Sequence, residues 1–205
     1  MTAGVLFEAA PWVATEIDEP QLPRLQRFFD DNPAYFMAIQ GRPAGPDEAR
    51  LEFDDRPPEG MPFDRRWLLG LADPAQPDGP LLGMAHVLKD LLAPQVWHVG
   101  LFIVATALHR TGASRRMYQA LEAWMQQGGA HWVRLGVVLG NAPAERFWEA
   151  CGFTELRRRE QVWTGTQAHT IRVMAKRLDG AGDLAGDFSD YLARVPRDQP
   201  GSTLP

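Results

Sequence analysis

One stretch, residues 96 to 153, constrains the fold more than any other part of the chain. In 96 to 104 (VWHVGLFIV) the odd positions Trp97, Val99, Leu101 and Ile103 are all large and apolar, the two-residue period of a strand with a core face. The even face carries His98 and Gly100, packs less densely and suits the wall of a cleft, unless a bulge flips the parity. From 112 to 127 the period becomes helical, with Ala113, Met117, Ala120, Leu121 and Trp124 on one side, and Gly128-Gly129 stops it. A strand at 132 to 139 and a helix from about 142 to 151, ended by Gly152, complete the unit.

The rest of the chain extends that unit. Residues 12 to 17 are expected to form the first strand, 23 to 31 a helix with Leu25, Phe28 and Phe29 inward, and 32 to 39 a second helix opened by Asn32-Pro33 and ended by Gly41. A short polar helix at most is expected within 45 to 60, then two strands at 67 to 72 and 81 to 88 joined as a wide hairpin, and a closing antiparallel pair at 153 to 159 and 170 to 176. The expected class is therefore α/β, a three-layer α/β/α arrangement around a mostly antiparallel mixed sheet. Residues 1–179 should be one domain, and 180–205 a weakly ordered tail with a turn or two of amphipathic helix around 188 to 192.

Composition narrows the function. With 205 residues and 45% hydrophobic content, the chain can fill one real core. Its formal charge of -5 disfavours nucleic acid as a partner. Cys151 is the single cysteine, which excludes an internal disulfide and a multi-cysteine zinc site; no metal is expected. The first residues lack a secretion signal, and no apolar run is long enough to span a bilayer, so the expected location is cytoplasmic, without a membrane role.

Against that acidic background, His109 and Arg110 of the segment ATALHRTGAS, between the central strand and helix, cluster with Arg115 and Arg116 directly after it. Turning through Thr111, Gly112, Ala113 and Ser114, the chain exposes main-chain N–H groups at a helix start, which is an anion site. An ordinary turn with solvated arginines is the competing reading. Neither the Walker pattern nor the dinucleotide fingerprint is present, so a P-loop ATPase or a Rossmann dehydrogenase is disfavoured.

These residues resemble the GNAT superfamily of acyl-CoA N-acyltransferases. Its central signature has Val, Gln or Arg five positions on, Gly three further, and Gly or Ala two beyond; here stand Val104, His109, Gly112 and Ser114, two of which depart from the usual type. Downstream, the family's Asn, Ala, aromatic and Gly-Phe fall on Asn141, Ala144, Trp148, Gly152 and Phe153, in register. The likeness spans Val96 to Arg172.

The resemblance implies acetyl-CoA as acyl donor. Its pantetheine arm would pair with the main chain near Phe102 and Val104, the Val104 N–H would polarise the thioester carbonyl, residues 109 to 114 would take the pyrophosphate, and Asn141 would hold the arm or cap its helix. The family's usual acidic base falls at His98, mostly a free base at neutral pH if unperturbed, although a plain strand hydrogen bond explains a histidine there equally well. The usual tyrosine acid is replaced by Trp148, whose indole cannot release a proton to a thiolate; Trp148 is expected to pack on the cofactor arm. His86 is expected to be structural, and Cys151 a small buried hydrophobe rather than an acyl carrier.

The expected partner is a small-molecule or peptide amine. Phe29, Tyr35 and Phe36 are candidates for its pocket, although aromatic residues at helical spacing are more often core, and the acidic run Asp47, Glu48, Glu52, Asp54, Asp55 either attracts it or is a solvated helix face. A homodimer is compatible with the sequence. Two readings remain: an active N-acetyltransferase, and a GNAT-fold module that binds acyl-CoA without turnover.

Overall fold

The computed structural model describes residues 4–164, 167–178 and 187–202. Their eight strands form one sheet in the order β1-β2-β3-β4-β5-β6-β8-β7: β1 (Val5–Ala9), β2 (Trp12–Glu16), β3 (Arg65–Ala72), β4 (Gly83–Lys89), β5 (Val96–Val104), β6 (Trp132–Val138), β7 (Thr154–Thr164) and β8 (Gln167–Arg177). Every neighbouring pair is antiparallel except β5 with β6. The mixed, mostly antiparallel sheet is thus as expected. β1, a short strand hairpinned to β2 across Ala10-Pro11, was not expected: five residues with an exposed start carry too little alternation to stand out.

Among the described residues six α-helices flank the sheet: α1 (Leu22–Asp31), α2 (Ala34–Gln40), α3 (Glu48–Asp54), α4 (Ala113–Gln127), α5 (Ala142–Ala150) and α6 (Ser189–Arg194). Leu25, Phe28, Phe29, Phe36 and Ala49 of α1 to α3 pack on Leu68, Met84, Leu101 and Ile103. On the opposite face, Tyr118, Leu121 and Met125 of α4 and Trp148 of α5 pack on Trp97, Val99, Val133 and Leu135. Trp97 and Val99 therefore face one layer while Leu101 and Ile103 face the other. The reason is a bulge: Val99 pairs with Val87 and Leu101 with His86, leaving Gly100 as the extra residue that flips the parity. The alternation that made 96 to 104 legible as a strand hides this reversal, because both halves are equally apolar.

Asn32, expected to cap α2, does something else. Its Nδ2 donates to the Phe28 carbonyl (2.8 Å) and its Oδ1 accepts from the Thr106 N–H (2.6 Å), tying the end of α1 to the turn after β5. At the other side of the cleft, His169 Nε2 on β8 donates to the Ile39 carbonyl (2.7 Å) and draws the β7–β8 hairpin over α2.

Residues 187–202, part of the expected tail, are packed. Tyr191 and Val195 bury against Val96, Trp132 and Ala175, and Asp198 is fully enclosed. Residues 180–186 and 203–205 of that stretch lie outside the described residues, as does residue 179 before it.

Candidate functional site

The parallel pair β5–β6 holds register only from Val96↔Trp132 to Val99↔Leu135. Beyond those residues the strands separate, and the gap opens into a slot of about 250 Å³ lined by Phe102, Gly136, Val138, Asn141, Ala144 and Trp148 among others. The Ala105 N–H donates to the Leu82 carbonyl (2.9 Å), which makes Val104↔Gly83 a non-hydrogen-bonded pair. The N–H and C=O of Val104, and by alternation those of Phe102, therefore point away from β4 and into the slot. One of the four groups is covered: His109 Nε2 donates to the Val104 carbonyl (3.0 Å), which also fixes that ring nitrogen as the protonated one. The Val104 N–H remains open.

At the wide end of the slot the chain turns into α4. Arg110 (φ 63°) and Gly112 (φ 83°) both adopt left-handed backbone, and Ala113 buries its methyl against Val104. The Thr111 hydroxyl donates to the Leu108 carbonyl (2.7 Å) and accepts a long bond from the Ala113 N–H (3.3 Å). Among the described residues, no acceptor within the protein takes the N–H groups of Gly112, Ser114 or Arg115. A fifteen-residue helix thus starts with a row of open donors and an unobstructed Gly112, around which a Cβ would meet no atom within 4 Å. Arg116 is not part of this turn, since its guanidinium lies over the Trp12 ring (5.2 Å). His109 lends its ring to Val104 rather than to the turn. Open edge donors beside an open helix start fit a long ligand with an amide-bearing arm and a phosphate end.

Asn141 both lines the slot and caps α5, its Oδ1 accepting from the Ala144 N–H (3.4 Å). Trp148 is buried against Tyr118 (ring centroids 5.1 Å apart, perpendicular) and Phe102 (5.8 Å), so its ring forms a slot wall and is held rigid. Burial raises the Cys151 thiol pKa, against the opposing pull of Lys176 and Arg115, which keeps the sulfur a protonated, partly buried neighbour of the core.

On the α1 to α3 face, a larger chamber of about 490 Å³ adjoins the slot; the two share Tyr35, Ile39, Gly100, Leu101 and Thr164. His98 lines this chamber, with its Nδ1 out of solvent reach and without a partner. Burial first, then the charge of Arg134 and proximity of His86, push its pKa down to about 3. Its ring is therefore neutral at any physiological pH.

His86, expected to be structural, faces the same chamber. Its Nδ1 lies 2.7 Å from Glu52 Oε1 on α3, with side-chain exposures of only 5% and 21%. A carboxylate on Nδ1 makes that nitrogen the N–H and leaves the lone pair on Nε2, which is buried and has no partner. This pairing joins residues thirty-four apart in sequence, so spacing alone does not reveal it. Of the acidic run, Glu48, Glu52 and Asp55 line the chamber; Asp47 and Asp54 do not. Of the three aromatic candidates, Tyr35 and Phe36 line it, whereas Phe29 is core, 1% exposed. Burial, with the charges of Glu52 and Glu48, raises the Tyr35 phenol well above its ordinary pKa.

The far wall was not expected at all. Arg134 on β6 is buried and forms a two-bond pair with Asp198 (2.6 and 3.0 Å), which also accepts from the Tyr191 hydroxyl (2.6 Å). Burial opposes charge on Arg134, but the hydrogen bonds and charge of Asp198 outweigh it and raise its pKa. Arg134 is an arginine within the apolar strand WVRLGVV, and that anomaly is the one signal the sequence offers.

Among the described residues, no group of three or more His, Cys, Asp or Glu side chains is arranged to hold a metal ion, and no helix is long and apolar enough to cross a membrane.

The acetyltransferase (GNAT) family model matches residues 25–153, more than half of the chain. Comparison with curated proteins finds no match. Among solved structures, a ribosomal-protein-S18-alanine N-acetyltransferase from Escherichia coli superposes with a TM-score of 0.58 at 16% identity, over 84% of this chain and 97% of that one. A spermidine N-acetyltransferase from Vibrio cholerae, solved with CoA and spermine, gives 0.60 at 13% identity over 81% and 95%. An acetyltransferase from Salmonella typhimurium that modifies the N-terminal serine of the 50S ribosomal subunit protein L7/L12 gives 0.61 at 13% identity over 82% and 95%. At these identities the likeness is one of fold.

Proposed function

The chain belongs to the GNAT acetyltransferase family, and from that premise we propose that it transfers an acetyl group from acetyl-CoA to a primary amine by direct attack in a ternary complex. The observation that carries this reading is the parting of β5 from β6 after Val99 and Leu135, which leaves open edge donors beside an open helix start. Phe102 and Val104 would hold the pantetheine arm as a missing strand would, with Asn141 and Trp148 as its walls. The turn through His109, Arg110, Thr111, Gly112, Ala113 and Ser114 would take the pyrophosphate on the open main-chain N–H groups at its end, those of Gly112, Ser114 and the following Arg115. Acetyl-CoA supplies the activated thioester; the Val104 N–H is the donor placed to stabilise the oxyanion as that carbonyl is attacked.

An acceptor amine with a pKa near ~10.4 must lose a proton before it attacks. Delivering that proton to His98, held at about 3, is uphill by roughly 10 kcal/mol. His98 lines the chamber as a neutral ring between His86 and Arg134, and we assign it a positioning role there rather than that of the base. The Glu52–His86 pair is the proton acceptor we assign on geometry: with Glu52 2.7 Å from Nδ1 the lone pair is on Nε2, and the carboxylate would balance the imidazolium that forms. No proton donor is needed for the leaving group, because releasing a thiolate of pKa ~8.5 near neutrality costs only about 2 kcal/mol. Tyr35, where slot and chamber meet, stays protonated and can donate a hydrogen bond to the sulfur.

The test is thiol release from acetyl-CoA across a panel of primary amines. Turnover is expected, and His86→Gln or Glu52→Gln should lower kcat by about a hundredfold while acetyl-CoA still raises the melting temperature. Full activity in both variants removes the pair from the mechanism. Trp148 in place of a tyrosine favours a second reading, a module that binds acyl-CoA without turnover; binding with no release from any amine would select it.

A further inference from the structure

The chamber is bipolar, and at its basic end the arginines outnumber the carboxylates among the described residues. Asp198 is the carboxylate there, and its oxygens are committed to Arg134, Arg157 (3.6 Å) and the Tyr191 hydroxyl. Arg159 of β7 and Arg197, in the turn after α6, line the same wall. Among the described residues neither side chain makes a hydrogen bond or ion pair with the protein, and Arg197 Nη1 has neither solvent nor acceptor. A guanidinium donor removed from water with nothing to receive it is unfavourable until an acceptor arrives. Burial and the neighbouring charges of Arg134 and Arg157 lower the Arg159 pKa, and an incoming anion would relieve that crowding. The α3 and β4 side carries Glu48, Glu52, Asp55 and His86, and the Arg56 guanidinium there donates to the Phe53 and Asp55 carbonyls.

We propose that Arg159 and Arg197 form an oxyanion subsite, and that the acceptor is a compact amine bearing a carboxylate or phosphate at its far end. This rests on the acetyltransfer reading above, because it places the amine at the Glu52–His86 end of the chamber. The oxyanion lies across from it, held by paired guanidinium donors whose fork geometry matches carboxylate and phosphate alike. At about 490 Å³ the chamber takes a small zwitterion whole, and a polycation such as a polyamine would set its second charge against the arginines. The docked segment after α6 thereby brings Arg197 to the substrate.

The experiment compares matched acceptors on the unaltered protein: 4-aminobutyrate with butylamine, 6-aminohexanoate with hexylamine, and O-phosphoethanolamine with ethanolamine. At least one anionic member should exceed its neutral-tailed partner by about tenfold or more in kcat/KM, and which pair does so distinguishes carboxylate from phosphate. Arg159→Gln and Arg197→Gln should each raise KM for the anionic acceptor by about tenfold, leave kcat within about twofold, and leave acetyl-CoA binding unchanged. Equal or better use of the neutral-tailed amines by a protein that binds acetyl-CoA overturns the subsite and spares the acetyltransfer reading; loss of acetyl-CoA binding would instead strike that reading. If no acceptor turns over, melting of the acetyl-CoA complex decides: larger stabilisation by the anionic members supports the subsite, and equal or smaller stabilisation overturns it.

Discussion

At the scale of single residues, the chamber holds histidines whose different surroundings set different roles. Across one pair of strands, His86 has a carboxylate on its Nδ1 while His98 has none and lies beside Arg134. The second situation has a consequence for stability. His98 is neutral in the folded protein down to about pH 3, whereas the unfolded chain protonates it near ~6.5, so the unfolded state binds more protons between those values. Its contribution is therefore fully present above pH ~6.5 and is lost as the pH falls toward 3, at roughly 1.4 kcal/mol per pH unit. Replacing it, as in His98→Asn, should flatten the acid limb of a denaturation-versus-pH curve; an unchanged slope would show that His98 titrates normally. The sequence offered His98 as a site residue because the family's usual base falls at that position. It could not offer His86, whose partner Glu52 arrives on a different helix, or Arg197, whose position depends on how the C-terminal segment docks.

At the scale of elements, two termini matter. The first turn of α4 was legible, since Gly112 and the small residues after it announce a backbone that must come close to something. A side chain at Gly112 meets no atom in the free protein but is forced to a φ of 83°, so Gly112→Asp should cost stability by only about 1 kcal/mol. It should nonetheless abolish the rise in melting temperature with acetyl-CoA, by placing a carboxylate at the pyrophosphate; a full rise would show that the phosphates lie elsewhere. The C-terminal segment was not legible. Its apolar anchors are few, and what fastens it is the buried pair of Asp198 with Arg134, sixty-four residues away. Asp198→Asn leaves Arg134 charged and unpaired inside the protein and should destabilise it by about 3–5 kcal/mol in chemical denaturation, a loss that a merely loose tail would not produce.

At the scale of the whole molecule, the sheet parts between β5 and β6, and the active-site reading rests on that parting. The order of elements, both helix faces and the turn that follows Val104 can be read along the chain because each is a local pattern. The separation of β5 from β6 cannot, nor can the bulge at Gly100 that turns Leu101 and Ile103 toward α1 while leaving His98 facing the chamber. Both depend on which strand lies beside which. The slot and the chamber meet at Gly100 and Tyr35, so a donor lying along β5 and an acceptor lying over β4 would converge on the same few ångströms of main chain. Residue-resolved amide hydrogen exchange with and without acetyl-CoA tests this most directly. New protection is expected at the N–H groups of Phe102 and Val104 and at those of Gly112, Ser114 and Arg115; acetyl-CoA binding that leaves these five amides exchanging as before would contradict it.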